Sequence, residues 1–278
     1  MEIELLYQKL QDILKTMGRV VIAFSGGVDS ALVLKVARDA LGKDNVLAVT
    51  ALSETTSSQE REDAVRLAET FGIHHLLVET RELDIPEFAR NPEDRCYICK
   101  KHRFGRLMEA AADFSSQRGA SGHDACVADG LNTDDCNDYR PGIRAARELG
   151  VRSPLCEAGM SKRDIRLLSK NLGIPTWNKP AFACLATRIP YHSPITAEKL
   201  RQTDRAETFL RESGFSGQVR VRHYGDTARI ETEADDIPKL AEHEIRTRVT
   251  SYFKSLGFIF VTLDLEGYNM GSLNRTVI

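Results

Sequence analysis

The 278-residue chain lacks any apolar run approaching the ~18 residues that a membrane-spanning helix needs. Its opening stretch, residues 1–17, intersperses Glu2, Glu4, Lys9, Asp12 and Lys15 among apolar residues, so an amphipathic helix is expected there in place of a signal peptide. A cytoplasmic location and no membrane partner are the expectation. Charge of one sign is also missing: 38 Lys and Arg nearly balance 40 Asp and Glu, for a formal net charge of −2. A protein that coats itself with nucleic acid carries a basic excess, so no nucleic-acid partner is expected, although a local basic groove is compatible with that total. Internal repeats and low-complexity tracts are absent. No Gly-x4-Gly-Lys-Ser/Thr occurs, which rules out a Walker A phosphate loop. Cysteine is sparse: Cys96, Cys99, Cys126, Cys136, Cys156 and Cys184. In a reducing compartment these are not expected to form structural disulfides, and a close pair points to metal or sulfur chemistry.

What is present is enough apolar residue, 42%, for a sizeable core. The length suits a domain of about 180 residues with a smaller one attached. Short apolar strands are expected at residues 19–24, 46–52, 75–79 and 125–129, and amphipathic helices at 31–41, from Ser57 to near Gly72, at 98–115 and after Ser161. Buried strands alternating with such helices indicate an α/β fold with a doubly wound parallel sheet. The pattern then changes. A helix at 196–213, an alternating strand at 218–224, a turn at Gly225-Asp226, a returning strand at 228–231, a helix at 236–256 and a strand at 258–263 make a smaller α+β unit. We place the division at 1–190 and 191–278.

The first strand runs into Ser25-Gly26-Gly27-Val28-Asp29-Ser30 and then a helix. Glycines let backbone approach a ligand closely, and a helix start presents N–H groups and partial positive charge to phosphate. Ser25 and Ser30 add hydroxyl donors, and Asp29 suits Mg²⁺ or a ribose. The hexapeptide resembles the SGGxDS pyrophosphate loop of the PP-loop ATP pyrophosphatase superfamily, whose sheet is of the adenine nucleotide alpha hydrolase kind. That resemblance implies adenylation: a substrate oxygen attacks the α-phosphate, pyrophosphate leaves, and a nucleophile then displaces AMP. It makes Ala23 to Ser30 (Ala23, Phe24, Ser25, Gly26, Gly27, Val28, Asp29, Ser30) the nucleotide-binding stretch. Gly130, Asn132 and Asp135, after the fourth strand, look like a second superfamily element near the nucleotide and Mg²⁺.

The second signal is Asn91-Pro92-Glu93-Asp94-Arg95-Cys96-Tyr97-Ile98-Cys99-Lys100-Lys101, a Cys-x2-Cys at a helix start. The helix terminus and the basic neighbours lower thiol pKa values. The third is Lys179-Pro180-Ala181-Phe182-Ala183-Cys184-Leu185-Ala186-Thr187-Arg188. Three readings stand at this point. A Cys₃His zinc site would recruit His102 or His123, a redox dithiol would act through Cys96 and Cys99, and a three-cysteine iron–sulfur cluster would need a distant third ligand. Cys126, Cys136 and Cys156 read as buried small apolar residues.

Taken with both motifs, the Asp129–Gly142 stretch and the Arg220/Arg222 strand, the chain resembles the LarE family of ATP-dependent sulfur transferases, which make the nickel-pincer nucleotide cofactor of lactate racemase. The resemblance implies ATP, Mg²⁺ and pyridinium-3,5-biscarboxylic acid mononucleotide as the small-molecule partners, with carboxylates converted to thiocarboxylates. In one kind of member a lone cysteine at the Cys184 position gives up its sulfur. In the other, three cysteines hold a 4Fe–4S cluster, and this sequence, with Cys96, Cys99 and Cys184, resembles that kind. Sulfide or another sulfur donor and a homohexamer are implied in the same way. Lys100 and Lys101 are expected to stabilise carboxylate or leaving phosphate. Tyr97 is expected to stack on the pyridinium ring or pack on the sheet, Arg188 to meet substrate charge, and Arg220 and Arg222, on one strand face, to take the substrate phosphate. The rival readings are a tRNA thiolation enzyme and an amide-forming ligase that shares the loop.

Overall fold

The structure, a computed structural model, describes residues 2–116, 124–136, 141–180, 183–215, 217–269 and 272. The elements run α1 (Glu2–Met17), β1 (Val20–Ala23), α2 (Val28–Leu41), β2 (Val46–Leu52), α3 (Ser58–Phe71), β3 (His74–Glu79), α4 (Pro86–Ala89), α5 (Arg95–Ser116), β4 (Cys126–Ala128), α6 (Thr133–Cys136), α7 (Pro141–Glu148), α8 (Pro154–Ala158) and α9 (Lys162–Asn171). After a 3-10 turn at Leu185–Arg188 come α10 (Ala197–Glu212), β5 (Arg220–Tyr224), β6 (Thr227–Glu231), α11 (Ile237–Ala241), α12 (His243–Ser255) and β7 (Phe260–Leu263). The chain forms two compact units. The first is Met1–Ser53, Gln59–Arg81 and Asp94–Phe182, and the second is Glu54–Ser58, Glu82–Glu93 and Ala183–Ile278.

The first unit is built on a parallel sheet of order β3-β2-β1-β4. β1 is apolar throughout because both of its faces are covered. Val20 and Ile22 point into a core with Leu10 and Leu14 of α1, the apolar face of α2, and Ile165 and Leu168 of α9. Val21 points the other way, to Phe104, Leu107 and Phe114 of α5. From β1 the chain steps to β2 and β3 on one side and returns to place β4 on the other. The strand order therefore reverses between β1 and β4, where ligands of open α/β sheets bind beyond the carboxyl ends. The second unit has a sheet of order β5-β6-β7, with β5 and β6 antiparallel and β6 and β7 parallel. Its core joins Ala206 and Leu210 of α10 to Val221, Ile230 and Phe253.

The α/β class and the parallel sheet are as expected, and the departures are local. α5 starts at Arg95, three residues earlier than the apolar pattern suggests, because the Asp94 carbonyl already accepts the amides of Tyr97 (2.8 Å) and Ile98 (3.3 Å). The expected helix at 236–256 is two, α11 and α12, broken where Glu242 turns extended at ψ 139°. α7 and α8 are short helices that the sequence pattern does not signal. Ser161 caps α9 in a reciprocal box with Asp164. No helix among the described residues is long and apolar enough to cross a membrane.

Candidate active site

The loop after β1 is shaped by contacts that no other residue type permits at two positions. Gly26 has φ +70°, and a Cβ there would lie 2.9 Å from the Ala64 Cα of α3. Gly130, in the loop after β4, would bring a Cβ within 2.9 Å of the Ser30 amide and 3.1 Å of Asp29 Cβ. The two loops at the reversal of strand order are thus in direct backbone contact. Ser25 and Ser30 face each other across the turn, Oγ to Oγ 3.2 Å, and Ser30 Oγ accepts the Ser25 amide at 3.3 Å. α2 begins at Val28, so Val28, Asp29 and Ser30 form its first turn and its unsatisfied amides open onto the loop. Ala23 ends β1, and Phe24, buried, donates its amide to the Val49 carbonyl.

Charge around this loop is arranged in pairs. Asp29 is held by Lys162, from the first turn of α9, and accepts from Asn132 Nδ2 at 3.4 Å. Asn132 is buried, and its Oδ1 accepts the amides of Asp134 (3.0 Å) and Asp135 (3.2 Å), so one side chain ties the α6 turn to Asp29. Lys179 donates to Asp63 at 2.7 Å and reaches the Gly26 carbonyl at 3.4 Å. Lys162 and Lys179 bring two cations to the loop, and sequence reasoning named neither as a site residue. They lie more than 130 residues beyond the loop. Lys179 opens the third cysteine element, which pointed to metal or sulfur chemistry and not to phosphate, and no local motif marks Lys162. Asp129, next to Gly130, has its carboxyl pushed up by burial, opposed by Lys100, the Leu131 amide and the Ser153 hydroxyl. His75 on β3 is pushed down by burial. Thr50 spends its hydroxyl hydrogen on the Phe24 carbonyl, so the 2.8 Å contact with His75 requires a proton on Nε2.

Cys96 and Cys99 lie in the first turn and a half of α5, one helical turn apart. Neither is disulfide-bonded; Cys96 is exposed and Cys99 half-buried. Tyr97 does not pack on the sheet. It packs on α7, with the Arg144 guanidinium 4.0 Å from its ring centroid, while its hydroxyl donates to Glu148 (2.6 Å) and accepts from Lys101 (3.1 Å). That bond to Tyr97 raises the Lys101 pKa. Lys100 lies over Phe104, 5.1 Å from the ring, and packs where a Cβ on Gly142 would sit. Cys126 is free and half-buried. Cys156 departs from the expectation of a free, merely space-filling thiol, because it is disulfide-bonded. Its amide donates to the Leu131 carbonyl, which folds α8 back onto the segment leading into α6, and its disulfide partner lies outside the described side chains. His123 also lies outside the described residues. Among the described residues, no three His, Cys, Asp or Glu side chains are gathered as ligands of one metal ion.

In the second unit, Cys184 is a half-buried free thiol at the start of the Leu185–Arg188 turn. Arg188 was expected to meet substrate, but it is 1% exposed and turned inward. It grips Glu207 through Nε (2.8 Å) and Nη2 (3.0 Å), and its Nη1 donates to the carbonyls of Ala183 (2.6 Å) and Cys184 (3.2 Å). The correction has a simple cause: a buried guanidinium needs a carboxylate partner, and α10 supplies one. Burial alone would raise the Glu207 carboxyl, but Arg188, Arg211 and Arg220 outweigh it and hold the group at about 2. Arg220 and Arg222 are both buried on β5. Arg222 is fixed by Glu231 (2.6 Å) and the Thr187 carbonyl (2.9 Å). Arg220 donates to its neighbour's carbonyl, Val219 O, at 2.8 Å, and its guanidinium lies 5.1 Å from the Tyr268 ring centroid. Burial and the nearby Arg188 push its pKa down to about 10. A cation destabilised in this way gains from an added anion.

The sequence is similar to several known proteins. The NAD synthase family model matches residues 2–96. An uncharacterized protein of Synechocystis is 45% identical over 98% of this chain and 99% of its own length. The pyridinium-3,5-bisthiocarboxylic acid mononucleotide synthase of Lactiplantibacillus plantarum is 41% identical, over 95% of this chain and 92% of that protein. A glutamine-hydrolyzing GMP synthase of Aeropyrum pernix is 27% identical over 72% of this chain and 41% of its own length.

Proposed function

This chain belongs to the LarE-type family of PP-loop ATP-dependent sulfur transferases, and from that premise we propose that it adenylates the carboxylates of pyridinium-3,5-biscarboxylic acid mononucleotide and converts them to thiocarboxylates. The observation that carries this reading is the interlocked nucleotide loop, where Asp29 is joined to Lys162 and Asn132 at the reversal of strand order, within a match that runs almost the full chain. ATP and Mg²⁺ fit the family. The α2 terminus, Ser25 and Ser30 would hold the phosphates, Asp29 and Asp135 would face Mg²⁺, and Lys162 and Lys179 would release their carboxylates to meet the departing pyrophosphate. A substrate carboxylate oxygen bonds the α-phosphorus as the bond to the β-phosphate oxygen breaks. A sulfur nucleophile then bonds the acyl carbon, and AMP leaves with the shared oxygen.

Cys96, Cys99 and Cys184 are cysteines outside any disulfide, the donor type that holds iron–sulfur clusters, and the first two are spaced by one helical turn. A 4Fe–4S cluster bound by them would supply the sulfur. Lys100 and Lys101 would face substrate carboxylate, Tyr97 the pyridinium ring, and Arg220, backed by Arg222, the substrate phosphate. Arg188 acts through the backbone of Cys184. The part from residue 191 onward is read as the substrate and oligomer-forming portion, and the assembly as a homohexamer.

The experiment is anaerobic. Exchange of pyrophosphate into ATP is measured with and without the pyridinium mononucleotide, the product is weighed by mass spectrometry, and iron and sulfide are counted in wild type and Cys99→Ala. Substrate-dependent exchange, a thiocarboxylate, and about four irons lost in the mutant are expected. Exchange that yields an amide with ammonia and no thiocarboxylate with sulfide would transfer the chain to the ligase reading.

A further inference from the structure

The buried arginines of β5 are covered by the chain that leaves β7. Asp264 roots this segment: its amide donates to the Ile230 carbonyl at 2.9 Å, and its carboxylate lies 3.5 Å from Arg229. Gly267 then brings the backbone, at φ +71°, so close to the end of β6 that a Cβ would lie 2.8 Å from the Thr232 carbonyl oxygen. Tyr268 donates its amide to that same oxygen at 2.7 Å, and its ring centroid lies 5.1 Å from the Arg220 guanidinium. Ser272 completes the cover. Its hydroxyl accepts from Arg222 at 3.1 Å and donates to Glu231 at 3.2 Å. All of these residues lie in the second unit.

The cover is thinly attached. Leu265, the one aliphatic side chain in residues 264–269, is 83% exposed and anchors nothing. Several of the segment's bonds are internal and travel with it: Gly267 amide to Asp264 carbonyl (3.2 Å), Glu266 amide to Asp264 carboxylate (3.0 Å) and Ser272 amide to Asn269 carbonyl (3.2 Å). Thr232, whose carbonyl receives the segment, is fully buried, and its hydroxyl has no hydrogen-bond partner, so the closed arrangement leaves a polar group unsatisfied. Segments with few buried apolar contacts open at low cost. We infer that residues 264–269 with Ser272 form an autoinhibitory strap: Tyr268 and Ser272 occupy the guanidinium groups of Arg220 and Arg222 until the substrate phosphate displaces them. The inference rests on the reading that these arginines receive that phosphate. A phosphate oxygen is a stronger partner for guanidinium than a hydroxyl or an aromatic face. The apparent affinity for the anion is lowered by the fraction of molecules that are closed, and one hydrogen bond to a charged group shifts that fraction about tenfold.

Ribose 5-phosphate is the probe. Its binding to full-length protein at constant ionic strength is measured by calorimetry for wild type, Ser272→Ala, Gly267→Ala and Arg220→Met. Ser272→Ala removes the latch, and Gly267→Ala drives a Cβ into the Thr232 carbonyl, so both are expected to bind the probe about tenfold more tightly than wild type, and Arg220→Met to lose it. Hydrogen exchange reads the strap directly: the probe is expected to speed exchange of the Tyr268 amide in wild type, where a ligand that the segment helps to hold would slow it. Weaker binding by Ser272→Ala, or slower exchange at Tyr268, makes the segment part of the binding site and overturns the inference. Equal affinity in wild type and both strap variants, with binding still dependent on Arg220, also overturns it and leaves the phosphate reading standing. Binding that survives Arg220→Met, or none in any form of the protein, removes the phosphate from this site and the strap's role with it.

Discussion

Replacing Glu207 by Gln removes the charge that neutralises Arg188 and leaves the shape nearly unchanged. Glu207 is 1% exposed, and Arg188 and Arg211 both bind it. Its carboxyl stands at about 2 against an ordinary 4.5. A carboxyl depressed by that much stabilises the folded state by about 3 kcal/mol at neutral pH. The penalty measured elsewhere for leaving a buried charge unpaired, about 3–5 kcal/mol, agrees with it. The sign follows from the depression: the contribution is complete above the unfolded value near 4.5 and is lost as pH falls through the folded value near 2. The gap between wild type and Glu207→Gln should therefore be about 3 kcal/mol at pH 7 and about half that at pH 3. Urea unfolding followed by circular dichroism gives the gap, and hydrogen exchange of peptides covering 183–190 shows whether the Cys184 turn loosens with it. Arg188→Met combined with Glu207→Gln should cost less than the sum of the two single changes. A gap under about 1 kcal/mol, or one that does not narrow with acid, would show that Glu207 is not the counter-charge of Arg188 and that the Cys184 turn is held by something else.

Gly26→Ala should abolish ATP-dependent exchange and lower stability by about 2 kcal/mol, since the new Cβ meets the Ala64 backbone in a left-handed conformation. Thermal unfolding and pyrophosphate exchange read the two effects, and an active, stable variant would mean that α3 is not packed on the loop. Lys162→Met should raise the KM for ATP about tenfold while leaving the melting temperature within a few degrees, because Lys162 is partly exposed and Asp29 keeps its bond to Asn132. An unchanged KM would make the lysine a partner of Asp29 alone. Ser161→Ala should cost about 1 kcal/mol by thermal unfolding, through loss of the α9 capping box that also positions Lys162.

The sequence by itself determined the sheet, the nucleotide loop and the cysteine pair, because each depends on neighbours in the chain. The run from Val20 to Ala23 is apolar on both faces and has to be an interior strand. Gly26 and Gly27 mark a tight turn between that strand and α2, and it is the whole hexapeptide Ser25 to Ser30, not the glycines alone, that makes it a candidate phosphate loop. Asn132 and Gly130 were legible as a second element at a strand end, but their contacts with Asp29 and the Ser30 amide exist only because the chain crosses back to set β4 beside β1. Lys162 and Lys179 join the loop from the far end of the first unit, and nothing near them in the sequence says so. Arg188 and Arg222 read as free surface cations in a one-dimensional pattern. Tertiary structure turned them inward, because Glu207 and Glu231 come to lie in the same buried layer and a charge removed from water is stable only beside its opposite. Asn91 opens the cysteine segment in the sequence, but nothing there gave it a role of its own. Its left-handed backbone and three carbonyl partners are consequences of a turn about a hundred residues away, which no local propensity encodes.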